Sequence, residues 1–338
     1  MAKKDYIELN PIRGNYSEFD RIERAIMEKL RKLFFGPLMA ELSDKPTKAL
    51  NNAADDYEAL RAALASGRVT FSRGMFSGRL NASVSKELKS LGARWDRKTG
   101  TFKAPLSSLP YDLQVSIRGS ESKFQEKIAG IDRKLAQILP ENIAGSIRLT
   151  DMFDSTLWKA DKNFHASVKG ITIAPTLTAE QRKKIAEDWQ TNTEISIKGL
   201  VDKQVMKLRK DLQKSVFTGN RYDSAIGAID KSFGEAKSHA KFIARQETKL
   251  LITKFQEVRY ADAGIREYTW HAVAGTPNHP VRPRHAELAK ASKNGKIYRY
   301  DDPPRTSEDG EPARYNNPGQ DFNCRCHARP VVRFKKDK

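Results

Sequence analysis

Both cysteines of this 338-residue chain sit one residue apart in Asn323-Cys324-Arg325-Cys326-His327, and three of its six histidines, His271, His279 and His285, lie between residues 271 and 285. Thiolate and imidazole are the ligands of tetrahedral metal sites, and of zinc above all. A disulfide between cysteines spaced Cys-x-Cys closes only a strained local loop, and a reducing compartment disfavours even that. Metal binding or free thiols are therefore the two chemistries open to the pair. A third titratable group stands apart from these. Glu247 falls on the apolar face of a helical stretch, where an unpaired carboxylate is costly, so a basic or histidine partner from the C-terminal segment is expected.

The elements that must hold these residues read as mostly helical. A helix opens near Ser17, repeats apolar residues at Ile22, Ile26, Leu30 and Leu33/Phe34, and is broken by Gly36-Pro37. A second is expected over 46–65. Val69 to Phe71 alternates like a strand, Phe76 to Gly78 reads as a turn, and 82–91 as a helix ended by Gly92. A hairpin turning at Lys98-Thr99-Gly100 puts Trp95 and Phe102 on one side, as core or as a base-stacking platform. Helical spacing resumes over 121–139 and closes at Pro140. Thr178-Ala-Glu-Gln181 is a capping signature that opens a long helix with apolar residues at Ile185, Trp189, Ile197, Val201, Val205, Leu208, Leu212 and Val216. A short helix over 223–233 then leads into a second long one over 236–263, and the two long helices form an antiparallel pair whose stripe needs further cover, from the N-terminal helices or a partner protein.

After Gly264 the pattern changes to strands and loops: a strand over 267–273, a histidine-containing loop, a helix over 283–292, a strand over 296–300 and a last strand over 326–334. The fold class expected is α+β and predominantly α-helical, with long helices, a small C-terminal α+β module and a small helix-plus-hairpin insert. The expected divisions are 1–66, 67–120, 121–219 and 220–338. So few apolar residues among so many loops call for a staple in the last of these.

Arg245-Gln246-Glu247-Thr248, Trp270, Arg282-Pro283-Arg284-His285, the Lys296-Ile297-Tyr298 strand before Asp302-Pro303-Pro304, and Pro318-Gly319 leading into Asn323-Cys324-Arg325-Cys326 together resemble the C-terminal domain of the phage Mu F-like family, the minor head or head-morphogenesis proteins of tailed bacteriophages. The resemblance covers roughly residues 220–333. It marks Arg245, Glu247, Trp270, Arg282, Pro318, Gly319 and Asn323 as motif residues. Some members present Cys-x-x-Cys where this chain has Arg282 to His285, which with the terminal Cys-x-Cys makes a four-ligand site of zinc type. Here His285, Cys324 and Cys326 remain as ligands, with His279, His271, His327 or water as the fourth. The competing arrangement packs His285 and both thiols as small buried groups and pairs Arg282 and Arg325 with Asp321 or Glu247.

The resemblance implies a minor capsid protein at the portal vertex inside the head, with the portal protein, capsid or scaffolding protein and packaged double-stranded DNA as partners. It would be made in the host cytoplasm and end in the virion. The net charge of +19 suits a polyanionic neighbour, and the excess spreads as +7 over 1–120, +6 over 121–263 and +6 over 264–338, without a basic tail. No stretch approaches a membrane span or a signal core. Two other classes stand beside this one. A metal-dependent nuclease would use His279, His285 and Glu247 as general base, although the chain has no HExxH, Walker loop, serine elbow or carboxylate cluster. A plain DNA-binding protein would lack capsid attachment, and no helix-turn-helix or zinc-finger spacing supports it.

Overall fold

The computed structural model describes residues 6–12, 16–42, 57–72, 74–168, 176–218, 222–273 and 280–333. It is predominantly helical α+β, with two small antiparallel sheets. Two compact units are assembled from segments distant in sequence. One is made of Met1–Ile26, Gly145–Ile197 and His239–Lys338; the other of Met27–Ala144 and Lys198–Ser238.

The first elements are β1 (Tyr6–Glu8) and α1 (Tyr16–Leu30), the latter running through a π-type turn, Arg31–Phe35, into α2 (Gly36–Leu42). Gly36-Pro37 therefore does not break the helix. The wider turn takes the Gly36 N–H to the Arg31 carbonyl, and Pro37 sits in the first turn of α2, where no N–H is required of it. A Cβ at position 36 would lie 2.8 Å from that carbonyl, which is why glycine occupies the turn.

The second helix is seen as α3 (Glu58–Ala65), with Tyr57 as its non-helical N-cap; residues 46–56 of the expected span lie outside the described residues. Strands β2 (Val69–Ser72) and β3 (Met75–Gly78), helix α4 (Ala82–Ser90) and strands β4 (Arg94–Asp96) and β5 (Thr101–Lys103) follow. The expected turn at 76–78 is a strand, because Phe76 pairs with Phe71 on one side and Phe102 on the other. The sheet order is β2-β3-β5-β4. The Asn81 side chain caps α4, accepting from the Val84 N–H at 2.8 Å, and Gly92 ends it at φ +78°. Trp95 and Phe102 are cross-strand partners with ring centroids 4.9 Å apart, yet they part company on burial: Phe102 is core and Trp95 is 47% exposed.

Helix α5 (Tyr111–Gln137) begins ten residues before the expected start, and its first turns close the core of this sheet through Leu113 and Ile117. Then come α6 (Pro140–Gly145) and α7 (Leu149–Ser167). Helix α7 lies outside the expected elements, although Leu149, Met152, Phe153, Leu157, Ala160 and Phe164 recur at helical spacing and are all buried.

The capping box at Thr178 is formed in both directions: the Thr178 N–H donates to Gln181 Oε1 at 2.8 Å, and the Gln181 N–H to Thr178 Oγ1 at 3.1 Å. It opens α8 (Ala179–Thr218). The next helix, α9 (Tyr222–Asp262), is one 41-residue rod with no break near Gly234, because Ala225, Ile229, Ser232, Ala236 and Ala240 keep a continuous buried face through that position. Ser232 donates to Gln204 at 2.6 Å, and Trp189 Nε1 to the Glu247 carbonyl at 2.9 Å; partners that rise on one helix as they fall on the other make α8 and α9 antiparallel. Val201, Leu208 and Leu212 are buried within the chain, so this part of the stripe is internal core.

The C-terminal elements are β6 (Glu267–His271), α10 (Pro283–Lys293), β7 (Tyr298–Arg299) and β8 (His327–Arg333), close to the expected spans. Their sheet order is β1-β8-β6-β7, so the chain's first strand is an edge of its last sheet, pairing Tyr6 with Arg333 and Glu8 with Val331. Helix α10 lies on β6, where the Trp270 N–H donates to Ser292 Oγ at 2.8 Å.

Candidate metal centre

Three groups arrive at one point from different elements. His285 comes from the first turn of α10, just after Pro283; Cys324 and Cys326 come from the segment entering β8. All three are buried, and their ligand atoms lie within 4.8 Å of one another. His285 Nδ1 is 3.5 Å from Cys324 Sγ and 3.6 Å from Cys326 Sγ. A tetrahedral zinc with Zn–S of about 2.3 Å and Zn–N of about 2.05 Å holds N and S about 3.5 Å apart, so the spacing fits such an ion. The other ring nitrogen, Nε2, is 3.0 Å from Asp321 Oδ2, while Asp321 Oδ1 accepts from Asn316 Nδ2 at 2.8 Å. A carboxylate fixed behind a histidine is the arrangement that orients a metal ligand and sets its tautomer.

The charges of this cluster are set by one another. Cys324 is lowered to about 4, by the Cys326 thiol first and by His285 next, against its burial. Cys326 is pushed the other way by the Cys324 sulfur beside it. Burial opposes charge on His285, but Asp321 and Cys324 outweigh it and raise the imidazole to about 9. For Asp321 burial is again overcome, here by His285, Thr306 and Asn316, and its carboxyl lies at about 2. The result is a thiolate, an imidazolium and a carboxylate in a row, which a bound cation would reorganise by displacing the protons on Nδ1 and on Cys326. Trp270 closes the site, its ring edge-on to His285 with centroids 5.2 Å apart.

Of the remaining candidate ligands, His271 and His327 do not join the cluster. His279 lies outside the described residues. His271 and His327 are cross-strand partners stacked 5.6 Å apart, and His271 faces Glu8 at 3.6 Å. Among the described residues, the cluster therefore offers three ligands.

The pairings expected of the charged motif residues differ from those observed. Among the described residues, Glu247 takes no cation from the C-terminal segment. Its Oε1 accepts from Ser196 Oγ of α8 at 2.9 Å, its Oε2 has no donor, and burial raises its carboxyl. A buried carboxyl can be held by one hydroxyl when it keeps its proton, which removes the need for a counter-charge. Glu247 is not one of the ligand groups of the His285 cluster. Arg282 Nη2 donates to the Phe322 carbonyl at 2.6 Å, Arg325 is exposed, and Asp321 is engaged by His285. Arg245 is half-buried on α9.

Pro318, Gly319 and Asn323 press the loop before Cys324 onto α9. Gly319, at φ +98°, lies so close that a Cβ would meet Lys249 Cε at 2.6 Å and Thr253 Oγ1 at 2.9 Å. Asn323 takes the left-handed conformation at φ +53°, and its N–H donates to Gln246 Oε1 at 2.7 Å. Glu257 is the residue that sequence reasoning missed. Its Oε1 receives Asn317 Nδ2 at 2.8 Å and Gln320 Nε2 at 2.6 Å, fastening both ends of the Pro318-Gly319 turn. Its place two turns beyond Lys249 on the same helix was a signal, since Glu257 follows Leu250, Thr253 and Lys254 at helical spacing.

Residues 206–329 match the model of the phage Mu protein F like family. This part of the chain is similar to the Mu F-like family. An uncharacterized protein of Haemophilus influenzae (strain ATCC 51907 / DSM 11121 / KW20 / Rd) is 29% identical over 137 residues, 40% of this chain, which spans about a quarter (27%) of that relative's length. No solved structure matches. The Mu F-like match takes in the later part of α8, all of α9 and every member of the His285 cluster.

Proposed function

We propose that the protein is a minor head-morphogenesis protein of a tailed bacteriophage, seated at the portal vertex inside the head, where it assists assembly and DNA packaging or delivery and touches DNA without sequence preference. The observation that carries this reading is the Mu F-like match over residues 206–329. The even positive excess supports contact with phosphate rather than base readout. Among the described residues no helix is long and apolar enough to cross a membrane. The test is its place in particles: purified heads should contain the protein in a few copies, cross-linkable to the portal protein, and heads made without it should be defective in assembly or DNA content. A protein absent from particles, with heads unaffected by its loss, would overturn the reading.

Within this function, zinc would be the staple of the Mu F-like domain. His285, Cys324 and Cys326 fit it by type and spacing, with water or a further protein group completing the tetrahedron; when bound it supplies a fixed cross-link between α10 and the start of β8. Elemental analysis should find one zinc per chain. Replacing Cys324 and Cys326 together by serine should remove it and lower the melting temperature; a variant that melts like the parent would exclude a stapling role.

A further inference from the structure

A cavity of about 370 Å³ opens on the α8–α9 pair near Glu247, with Gln320 of the loop before Cys324 in its lining and neither cysteine among the lining residues. Ile185, Trp189 and Leu251 give it apolar walls. Glu247 forms part of its lining and is only 4% exposed, and its Oε2 is a buried acceptor that nothing donates to. Buried polar atoms in native structures are nearly always satisfied, so an orphan oxygen on a side chain that lines a cavity points to a group that arrives from outside. The exposed Glu187 and Asp188 stand at the same cavity; Glu187 is 3.8 Å from the exposed Lys183 ammonium, which is not in the lining, and Lys254, which is, has its Nζ directed to Glu257 at 3.5 Å. On a chain of net charge +19, this is a locally acidic hollow.

A metal ion does not suit it. Hard cations need several oxygens converging on one point, and the one group of converging ligands among the described residues is the nitrogen and two sulfurs of His285, Cys324 and Cys326. An anion would meet three carboxylates. What the hollow offers is a buried carboxyl among its lining groups, which gives up its proton when a cation pairs with it, apolar walls beside it and two further carboxylates, those of Glu187 and Asp188.

We propose that this cavity binds an organic cation, an alkylammonium or guanidinium head on a short apolar stem, with Glu247 as the counter-ion and Ile185, Trp189 and Leu251 enclosing the stem. Such a group could come from a free amine or from an arginine or lysine side chain of a partner protein.

The experiment is calorimetric titration of the full-length protein with n-butylguanidinium, with acetyl-arginine amide and with neutral 1-pentanol. Expected is saturable one-to-one binding of at least one cation, weakened tenfold or more by Glu247→Gln, and none of the alcohol. Binding of n-butylguanidinium alone assigns the site to free amines; comparable binding of acetyl-arginine amide assigns it to a presented side chain. Should Glu247→Gln fail to fold, the wild type still decides, since the Trp189 indole N–H resonance must shift on titration while that of the exposed Trp158 does not. No saturable binding of either cation, equal binding by Glu247→Gln, or equal binding of the alcohol would overturn the proposal.

Discussion

At the scale of single residues, the informative groups are those whose environment contradicts their type. Burial raises the Glu247 carboxyl above its ordinary value of 4.5, and the Ser196 hydroxyl only partly offsets this. A carboxyl that holds its proton more tightly folded than unfolded stabilises at low pH: its contribution is complete below 4.5 and is lost as pH rises through the raised folded value. Glu247→Gln keeps the acceptor for Ser196 and removes the titration. The variant is therefore predicted to be more stable than the parent at neutral pH, with the difference shrinking as pH falls toward 4.5; denaturant unfolding at a series of pH values checks this, and a parent that gains stability with rising pH relative to the variant would refute it. Gly319 is the opposite case, a residue defined by what it lacks. Its positive φ and the contact with Lys249 and Thr253 predict that Gly319→Ala costs about 1–3 kcal/mol, measurable by the same unfolding experiment.

At the scale of elements, the α8–α9 pair organises the chain. Its buried face includes polar partners, Gln204 with Ser232, among apolar residues such as Leu208 and Leu212. A buried hydrogen-bonded pair of this kind fixes the register of two long helices, because sliding by one turn would leave both groups unsatisfied. Leu208 is fully covered by the chain itself, so Leu208→Ala is predicted to cost about 2–5 kcal/mol in the isolated protein, without any partner present. An unchanged unfolding midpoint would mean that this face is open and belongs to an interface. The Pro318-Gly319 turn depends on α9 in the same sense: Glu257 holds it at both ends, which places the segment leading to Cys324 before any metal arrives.

At the scale of the whole molecule, the dominant property is charge. A surplus of +19 without a basic tail predicts duplex binding that is weak, indifferent to sequence and steeply salt-dependent. The logarithm of affinity should fall linearly with the logarithm of salt concentration, by about 0.9 per phosphate neutralised. Gel retardation or anisotropy across a salt series measures the slope; no binding at low salt would assign the positive surface to an acidic protein partner.

What the sequence determined by itself is what neighbours along the chain decide. The capping box at Thr178, the Asn81–Gly92 limits of α4, the hairpin at Gly100 and the apolar spacing of the long helices all rest on contacts within a few residues, so they were legible. The Mu F-like motif likewise marked residues by type and order. Tertiary structure decided the rest. That β1 closes the sheet of β8 could not be read from three residues at the far end of the chain, since an edge strand is defined by its partner. The fusion of two expected helices into α9 overrode a glycine because packing on one continuous face outweighs its modest helix penalty. The convergence of His285 on Cys324 and Cys326, and the choice of Ser196 rather than a cation for Glu247, depend on where the chain returns in space; neighbouring groups then set the charge of His285 against its burial, and burial raised the Glu247 carboxyl.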